Sequence, residues 1–148
     1  DFIFLVSLMI IDKTDNAEYF IYKFNLSKIF QKRILFINNF YSKKITSKTF
    51  LEKNLNKVFY FNGREAIIDV IYFKIFKSNN IDNELINLIE IFKRKKIPIM
   101  PVKAKELMKK YHVPQGRELG KTLKTIEEAW VNNNFQISEK EIREIIKY

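Results

Sequence analysis

The sequence predicts an all-α fold, and three observations support that prediction. The 148 residues include only three Gly and three Pro, and all of them except Gly63 lie between Pro98 and Gly120. An all-β fold needs more turn-forming residues than this distribution supplies. Apolar residues recur at helical spacing in several segments, and helix-start signals precede some of them. With 47% hydrophobic and 30% charged residues, the composition is typical of a globular domain, and one domain is expected.

The first predicted helix is the apolar segment Phe2–Ile11, which is interrupted by a single polar residue, Ser7. It is shorter than the ~18 apolar residues that span a membrane, and it lacks the cationic start and cleavage site of a signal peptide. We therefore expect a buried helix. Because the chain starts with Asp1 and not with Met, we also expect it to be a fragment or a processed product.

Four further segments carry apolar stripes with the period of an α-helix. The stripes are Phe30, Ile34, Ile37 and Tyr41; Leu85, Leu88, Ile89 and Phe92; Ala104, Leu107, Met108 and Tyr111; and Leu119, Leu123, Ile126 and Trp130. The last stripe predicts a helix of about three turns or more. Trp130 at its end is expected in the core and not as a platform for base stacking.

The sequence also predicts where three of the helices start. Ser27 and Asp82 each precede an apolar stripe and are predicted N-caps. Ser138 and Glu141 have the spacing of a capping box, which predicts a final helix that ends at about Lys147.

Two prolines mark the predicted boundary within the chain. Pro98 and Pro101 exclude a helix across residues 97–102. The predicted organisation is therefore a helical body, residues 1–97, and a tail of C-terminal helices, residues 98–148, which we expect to form one compact unit.

Cysteine content and net charge limit the function. The absence of Cys excludes thiol catalysis, Cys-ligated metal sites and a disulfide framework, so a cytoplasmic location is expected. The formal net charge is +10, which favours a polyanionic partner, with nucleic acid first and an anionic membrane surface second.

The positive charge is concentrated in two segments, each with eight basic residues and one acidic residue. We call residues 27–60 the first basic block and residues 93–116 the second. The alternative interpretation is that both are ordinary solvated helix faces, with the run at 93–96 offsetting the negative end of the preceding helix dipole. The first block holds Lys28, Lys32, Arg33, Lys43, Lys44, Lys48, Lys53 and Lys57, and the second holds Lys93, Arg94, Lys95, Lys96, Lys103, Lys105, Lys109 and Lys110.

No catalytic motif emerges from the residue pattern. The segment 116–122 resembles a phosphate-binding P-loop, but Gln115 stands where the first Gly is required. Gly116 and the following helix N-terminus remain a candidate contact for one backbone phosphate, with a simple Pro-Gly turn as the alternative. The acidic pairs Asp82/Glu84 and Glu127/Glu128 are interpreted as structural, and His112 as a turn residue.

Several segments together resemble a known family. Pro101–Met108, Val113–Gly120, and Leu123 with Glu127–Trp130 are similar to the C-terminal region of bacterial tRNA nucleotidyltransferases and poly(A) polymerases. Leu55–Asp69 and the pair Leu26-Ser27 resemble further segments of that family, so the likeness covers about residues 17–148. Two departures are Ala104, where Gly is usual, and Gln115-Gly116-Arg117, where Pro-Gly-Pro is common.

The resemblance implies the RNA-holding part of such an enzyme without its catalytic part. The family's Gly-Ser motif and Asp-x-Asp metal pair, and the Arg and Asp motif that selects the nucleotide, are not found in this sequence. We therefore expect the chain to be inactive alone. Mg²⁺ and ATP or CTP are expected only in a separate or missing head domain, acting in cis or in trans.

Together these observations predict an all-α bundle of about seven to nine helices that binds structured RNA, most plausibly tRNA. The alternative is a basic helical module for an acidic protein or an anionic membrane surface. In the segment 103–111, Glu106 is the only acidic residue beside four lysines, which we expect to be free for phosphates. The predicted RNA-binding residues are Lys43, Lys44, Lys48, Lys93, Arg94, Lys95, Lys96, Lys103, Lys105, Lys109, Lys110, Arg117 and Lys121.

Overall fold

The computed structural model describes residues 1–78 and 82–146, and that part of the chain is helical without strands. The all-α prediction is therefore confirmed, with eight α-helices and one short 3₁₀ helix, Ser47–Phe50, among the described residues. The α-helices are α1 (Phe2–Ile10), α2 (Asn16–Phe24), α3 (Lys28–Ser42), α4 (Glu52–Lys77), α5 (Asn83–Arg94), α6 (Ala104–Tyr111), α7 (Arg117–Asn132) and α8 (Glu139–Ile146).

The chain divides into two compact units between Lys95 and Lys96, which we call the N-terminal unit and the C-terminal unit. The division lies close to the boundary predicted at Pro98, and residues 97–102 are not helical. That the two units form one compact body stays a prediction.

The core of the N-terminal unit is built around α4, which contributes to two apolar clusters. One cluster joins α4 to α5 and the 3₁₀ helix, and the other joins α4 to α1, α2 and α3. The helix is interrupted at Gly63, where φ is 82° and ψ is 179°. This conformation is accessible essentially to glycine alone, so Gly63 sets the break between the two halves of α4.

An ion-pair network ties three helices of this unit together. Arg33 on α3 donates two hydrogen bonds to Asp69 on α4, from Nε at 2.6 Å and from Nη2 at 2.7 Å. A third bond, 2.6 Å long, runs from Arg33 Nη1 to Asp1, the N-cap of α1. The Asp69 side chain is only 7% exposed, and its hydrogen bonds raise the pKa of Arg33. Arg33 is therefore a structural member of the first basic block.

The C-terminal unit packs α6, α7 and α8 around one apolar cluster. Its centre is formed by the buried Leu107, Leu119, Ile126 and Ile142. Trp130 is buried as predicted, with its ring 5.0 Å from that of Phe135 in an edge-on arrangement.

The predicted helix caps are confirmed. Ser27 accepts a hydrogen bond from the Phe30 amide at 3.4 Å, and Asp82 accepts one from the Glu84 amide at 2.9 Å. Ser138 accepts a bond from the Glu141 amide at 3.3 Å, while the Glu141 carboxylate accepts the Ser138 amide at 2.7 Å. The helix that follows this capping box is described to Ile146, so its predicted end at Lys147 lies outside the described residues.

One sequence prediction about burial is wrong. The first helix is only half buried, since Phe2, Leu5 and Met9 are 74%, 55% and 82% exposed. Its sequence is apolar on every side, whereas only one side packs in the unit. Phe30 is exposed because it lies in the first turn of α3, one turn before the buried contacts that begin at Ile34. Among the described residues, no helix combines the length and hydropathy needed to cross a membrane.

Candidate nucleic-acid interface

Lys43 and Lys44 line a groove of about 700 Å³ in the N-terminal unit. We call it the lysine groove, because it is lined by five lysines and one carboxylate. Lys48 is exposed on the 3₁₀ helix and does not line it. The lining residues are Ile11, Asp12, Lys13, Tyr41, Ser42, Lys43, Lys44, Ile45, Phe73, Lys74 and Lys77.

The groove lies where three helices end. α1 ends at Ile10, α3 at Ser42 and α4 at Lys77, and the lining residues come from these ends and the segments that follow them. Lysine is favoured at a helix C-terminus, where it offsets the negative end of the helix dipole. Three such ends at one place explain why lysines from distant parts of the sequence collect there.

Three of the five groove lysines are not among the residues predicted from the sequence. Lys13, Lys74 and Lys77 lie outside both basic blocks, in segments where acidic residues outnumber basic ones. A count of charge by segment therefore does not identify these three lysines. Their position after or within the last turn of a helix is the signal that could have identified them.

The polar groups among these lysines are already engaged by other residues. Asp12 accepts hydrogen bonds from the Thr14 hydroxyl at 2.6 Å and from the Asn16 side chain at 2.7 Å. These bonds, those from Thr14 first, lower the pKa of Asp12. Burial raises the pKa of Tyr41, so its hydroxyl remains protonated and donates to the Val70 carbonyl at 2.5 Å. None of the five lysines forms an ion pair with another residue in the described parts of the chain.

At the end of α5, two of the four predicted RNA-binding residues are engaged within the protein. Lys93 pairs with Glu90 at 2.8 Å. Lys95 pairs with Glu52 and lies 5.4 Å from the centre of the Phe92 ring, and its carbonyl accepts a hydrogen bond from Arg64. Lys93 and Lys95, two of the predicted RNA-binding residues, therefore already bind carboxylates of the folded chain, and their contact with RNA stays a prediction. Arg94, and Lys96 at the start of the C-terminal unit, are exposed.

The four lysines of α6 and its N-cap do not form one surface. At 100° per residue, Lys105 and Lys109 lie on one flank of the helix, and Lys103 and Lys110 lie on the other. Lys110 pairs with Glu139 at the start of α8, which raises the pKa of Lys110. The expectation that all four are free is therefore wrong for Lys110, because the fold brings a carboxylate from 29 residues further along.

A separate basic stripe runs along α7. Arg117, Lys121 and Lys124 follow one another at four- and three-residue spacing, on the side opposite the buried Leu119 and Ile126. Lys124 was not among the predicted residues, because only Arg117 and Lys121 are close in sequence to the Gly116 turn that was a candidate phosphate contact. The turn before α7 places Gly116 at φ 131° as the helix N-cap, and His112 ends α6 in the left-handed conformation.

The acidic residues form no metal centre in the parts of the chain that the structure describes. No group of three or more His, Asp or Glu side chains is placed to hold an ion there. Asp82 is engaged in capping α5, which agrees with its structural interpretation.

Comparison with protein-family models finds no match, and comparisons with curated proteins and with solved structures find no similar protein.

Proposed function

We propose that this chain binds RNA by contacting the phosphate backbone of the RNA. One observation carries the proposal: ten of the thirteen predicted RNA-binding residues are exposed and form no ion pair with another described residue. The ten are Lys43, Lys44, Lys48, Arg94, Lys96, Lys103, Lys105, Lys109, Arg117 and Lys121.

Exposed basic residues of this kind fit RNA for two physical reasons. Exposed lysines without a carboxylate partner release counterions from a nucleic acid when they meet its phosphates, which supplies most of the binding free energy. In A-form RNA the deep, narrow major groove excludes side chains, so proteins recognise it by shape through phosphates and 2′-hydroxyls. Lysines distributed over several helices suit that mode of contact.

The RNA that we propose is tRNA, and this choice rests on the sequence resemblance. In that proposal the chain holds the acceptor end of the RNA so that a head domain outside this chain can add nucleotides to the 3′ terminus. The chemistry would belong to the head domain, and this chain would contribute affinity and position.

The proposal is tested by measuring the affinity of the chain for fluorescent tRNA, for an RNA duplex and for a DNA duplex of equal charge. A tRNA-shaped site predicts the tightest binding to tRNA. Lys105→Ala combined with Lys109→Ala should weaken tRNA binding. Lys110→Ala removes a lysine already paired with Glu139, and it should weaken tRNA binding less than Lys105→Ala or Lys109→Ala alone, each of which removes the same charge. Equal affinity for all three nucleic acids would contradict the choice of tRNA, and no binding would contradict the proposed function.

A second candidate function is binding to an anionic membrane surface or an acidic protein. The exposed apolar side of α1, formed by Phe2, Leu5 and Met9, is the observation that favours it. A flotation assay with vesicles that contain phosphatidylserine tests the membrane version. If the chain binds these vesicles and Met9→Ser abolishes that binding while tRNA does not bind, the second candidate replaces the first.

A further inference from the structure

The lysine groove has a positive surplus that its surroundings do not neutralise. Five lysines face one carboxylate, Asp12, and the C-terminal ends of three helices. Each helix end is equivalent to about half a negative charge, which leaves a surplus of about two to three positive charges. A ligand that balances the groove therefore carries more than one negative charge.

The shape of the groove sets a limit on the size of that ligand. A volume of about 700 Å³ lies within the roughly 300–1,000 Å³ range of small-ligand sites. Besides the lysines, the lining includes the apolar Ile11, Ile45 and Phe73 and the aromatic Tyr41. The lining therefore offers positive charges for phosphate groups and apolar side chains for a less polar part of the ligand.

These lysines can also bind an anion at a low cost in free energy. Lys43 and Lys44 follow α3 in an exposed segment, and Lys74 and Lys77 project from the last turn of α4. They have no carboxylate to leave when an anion arrives, since none of them forms an ion pair in the described parts of the chain. The Lys77 ammonium lies 5.6 Å from the centre of the Phe73 ring, a contact that it would exchange for the anion. Lysine ammonium groups bind phosphate as point charges on flexible stems, without the bidentate geometry that arginine provides.

We propose that the lysine groove binds the phosphate groups of a nucleotide, either free or at the end of an RNA strand. The inference rests on the proposed function for its choice of ligand class, and it adds a defined site in the N-terminal unit. The lysines from the end of α3 and those from the end of α4 contact the same phosphate groups, while the ribose and base lie toward Ile11 and Ile45.

The inference is tested by equilibrium dialysis of labelled ATP against the whole chain in EDTA. The affinity should fall in the order ATP, AMP, adenosine. Lys43→Gln with Lys44→Gln, and Lys74→Gln with Lys77→Gln, should each weaken ATP binding about tenfold, since hydrogen bonds to charged groups carry that much free energy. Lys28→Gln with Lys32→Gln is the matched control, because it removes the same charge from exposed positions of α3 outside the groove.

A variant that should bind ATP more tightly gives a further test, because a variant that merely fails to fold would not gain affinity. Asp12→Asn removes the single negative side chain of the groove and keeps an oxygen that can accept the bond from Thr14. It should strengthen ATP binding roughly twofold, as expected for one charge at several ångströms in water. A hexanucleotide that displaces ATP identifies RNA as the source of the phosphate, and one that does not displace ATP identifies the free nucleotide.

Several results would overturn the inference. If either lysine pair leaves ATP affinity within twofold of the wild type while the variant keeps its helical circular dichroism, the groove is not a shared phosphate site. Adenosine bound as tightly as ATP has the same consequence. If ATP does not bind while tRNA binding still depends on Lys105 and Lys109, the nucleotide site in the groove is contradicted and the proposed RNA-binding function stands. If ATP binds in the groove and tRNA does not bind at all, the nucleotide site stands and the RNA-binding function is contradicted.

Discussion

Arg33→Met should destabilise the N-terminal unit strongly, although Arg33 lies in a basic block. The substitution removes the two hydrogen bonds to Asp69 and leaves a carboxylate that is 7% exposed without its charged partner. Breaking a buried pair from one side costs about 3–5 kcal/mol. Because the Arg33 side chain is itself 27% exposed, we expect the lower end, about 3 kcal/mol.

Urea unfolding followed by far-UV circular dichroism measures this loss, since the only Trp, Trp130, lies in the other unit. At a slope near 1.5 kcal/mol/M, a loss of about 3 kcal/mol lowers the midpoint by about 2 M. Adding Asp69→Asn to Arg33→Met should recover part of the lost unfolding free energy, because it replaces the buried carboxylate that has no charged partner with a neutral amide. A loss below about 1 kcal/mol, the size of an exposed ion pair, would refute the structural role of Arg33.

Three further predictions concern the fold. Gly63→Ala should cost about 1–3 kcal/mol, measured as a fall in the same urea midpoint, because Ala is strained at this backbone conformation; an unchanged midpoint would argue against the break in α4. Trp130→Ala should cost about 3–5 kcal/mol in thermal unfolding, and tRNA affinity lost without a change in stability would instead make it a contact residue. The pKa of Glu139, measured by carbon-13 NMR, should lie below 4.5 because of Lys110 and rise in Lys110→Ala. The stability from this pair is then present above pH 4.5 and is lost as the pH falls through the lowered pKa of Glu139; a Glu139 pKa that Lys110→Ala leaves unchanged would contradict the pair.

Local signals made the helices predictable. The stripe from Leu119 to Trp130 and the capping box at Ser138 depend on residues only a few positions apart, and the structure contains both. The exposure of Phe2 and Met9 was not predictable in the same way. A helix that is apolar on every side carries no sign of which side the rest of the chain covers.

The candidate site was predictable only in part, because charge pairing is a property of the folded chain. Lys110 and Glu139 are 29 residues apart, and no count within a segment brings them together. The same is true of the lysine groove, where Lys13 and Lys74 meet Lys43 and Lys44 only because three helices end at one place. The sequence showed which residues are basic, and the structure shows which of them lack a partner.

The dependence of tRNA affinity on salt tests the RNA-binding proposal most directly. Four or more phosphate contacts predict that the logarithm of the binding constant falls against the logarithm of salt with a slope of roughly −3.6 or steeper, at about −0.9 per contact. Lys105→Ala with Lys109→Ala should flatten that slope by up to about 1.8, and Lys110→Ala should leave it nearly unchanged. A tRNA affinity that does not vary with salt, or an equal change in both variants, would contradict the account.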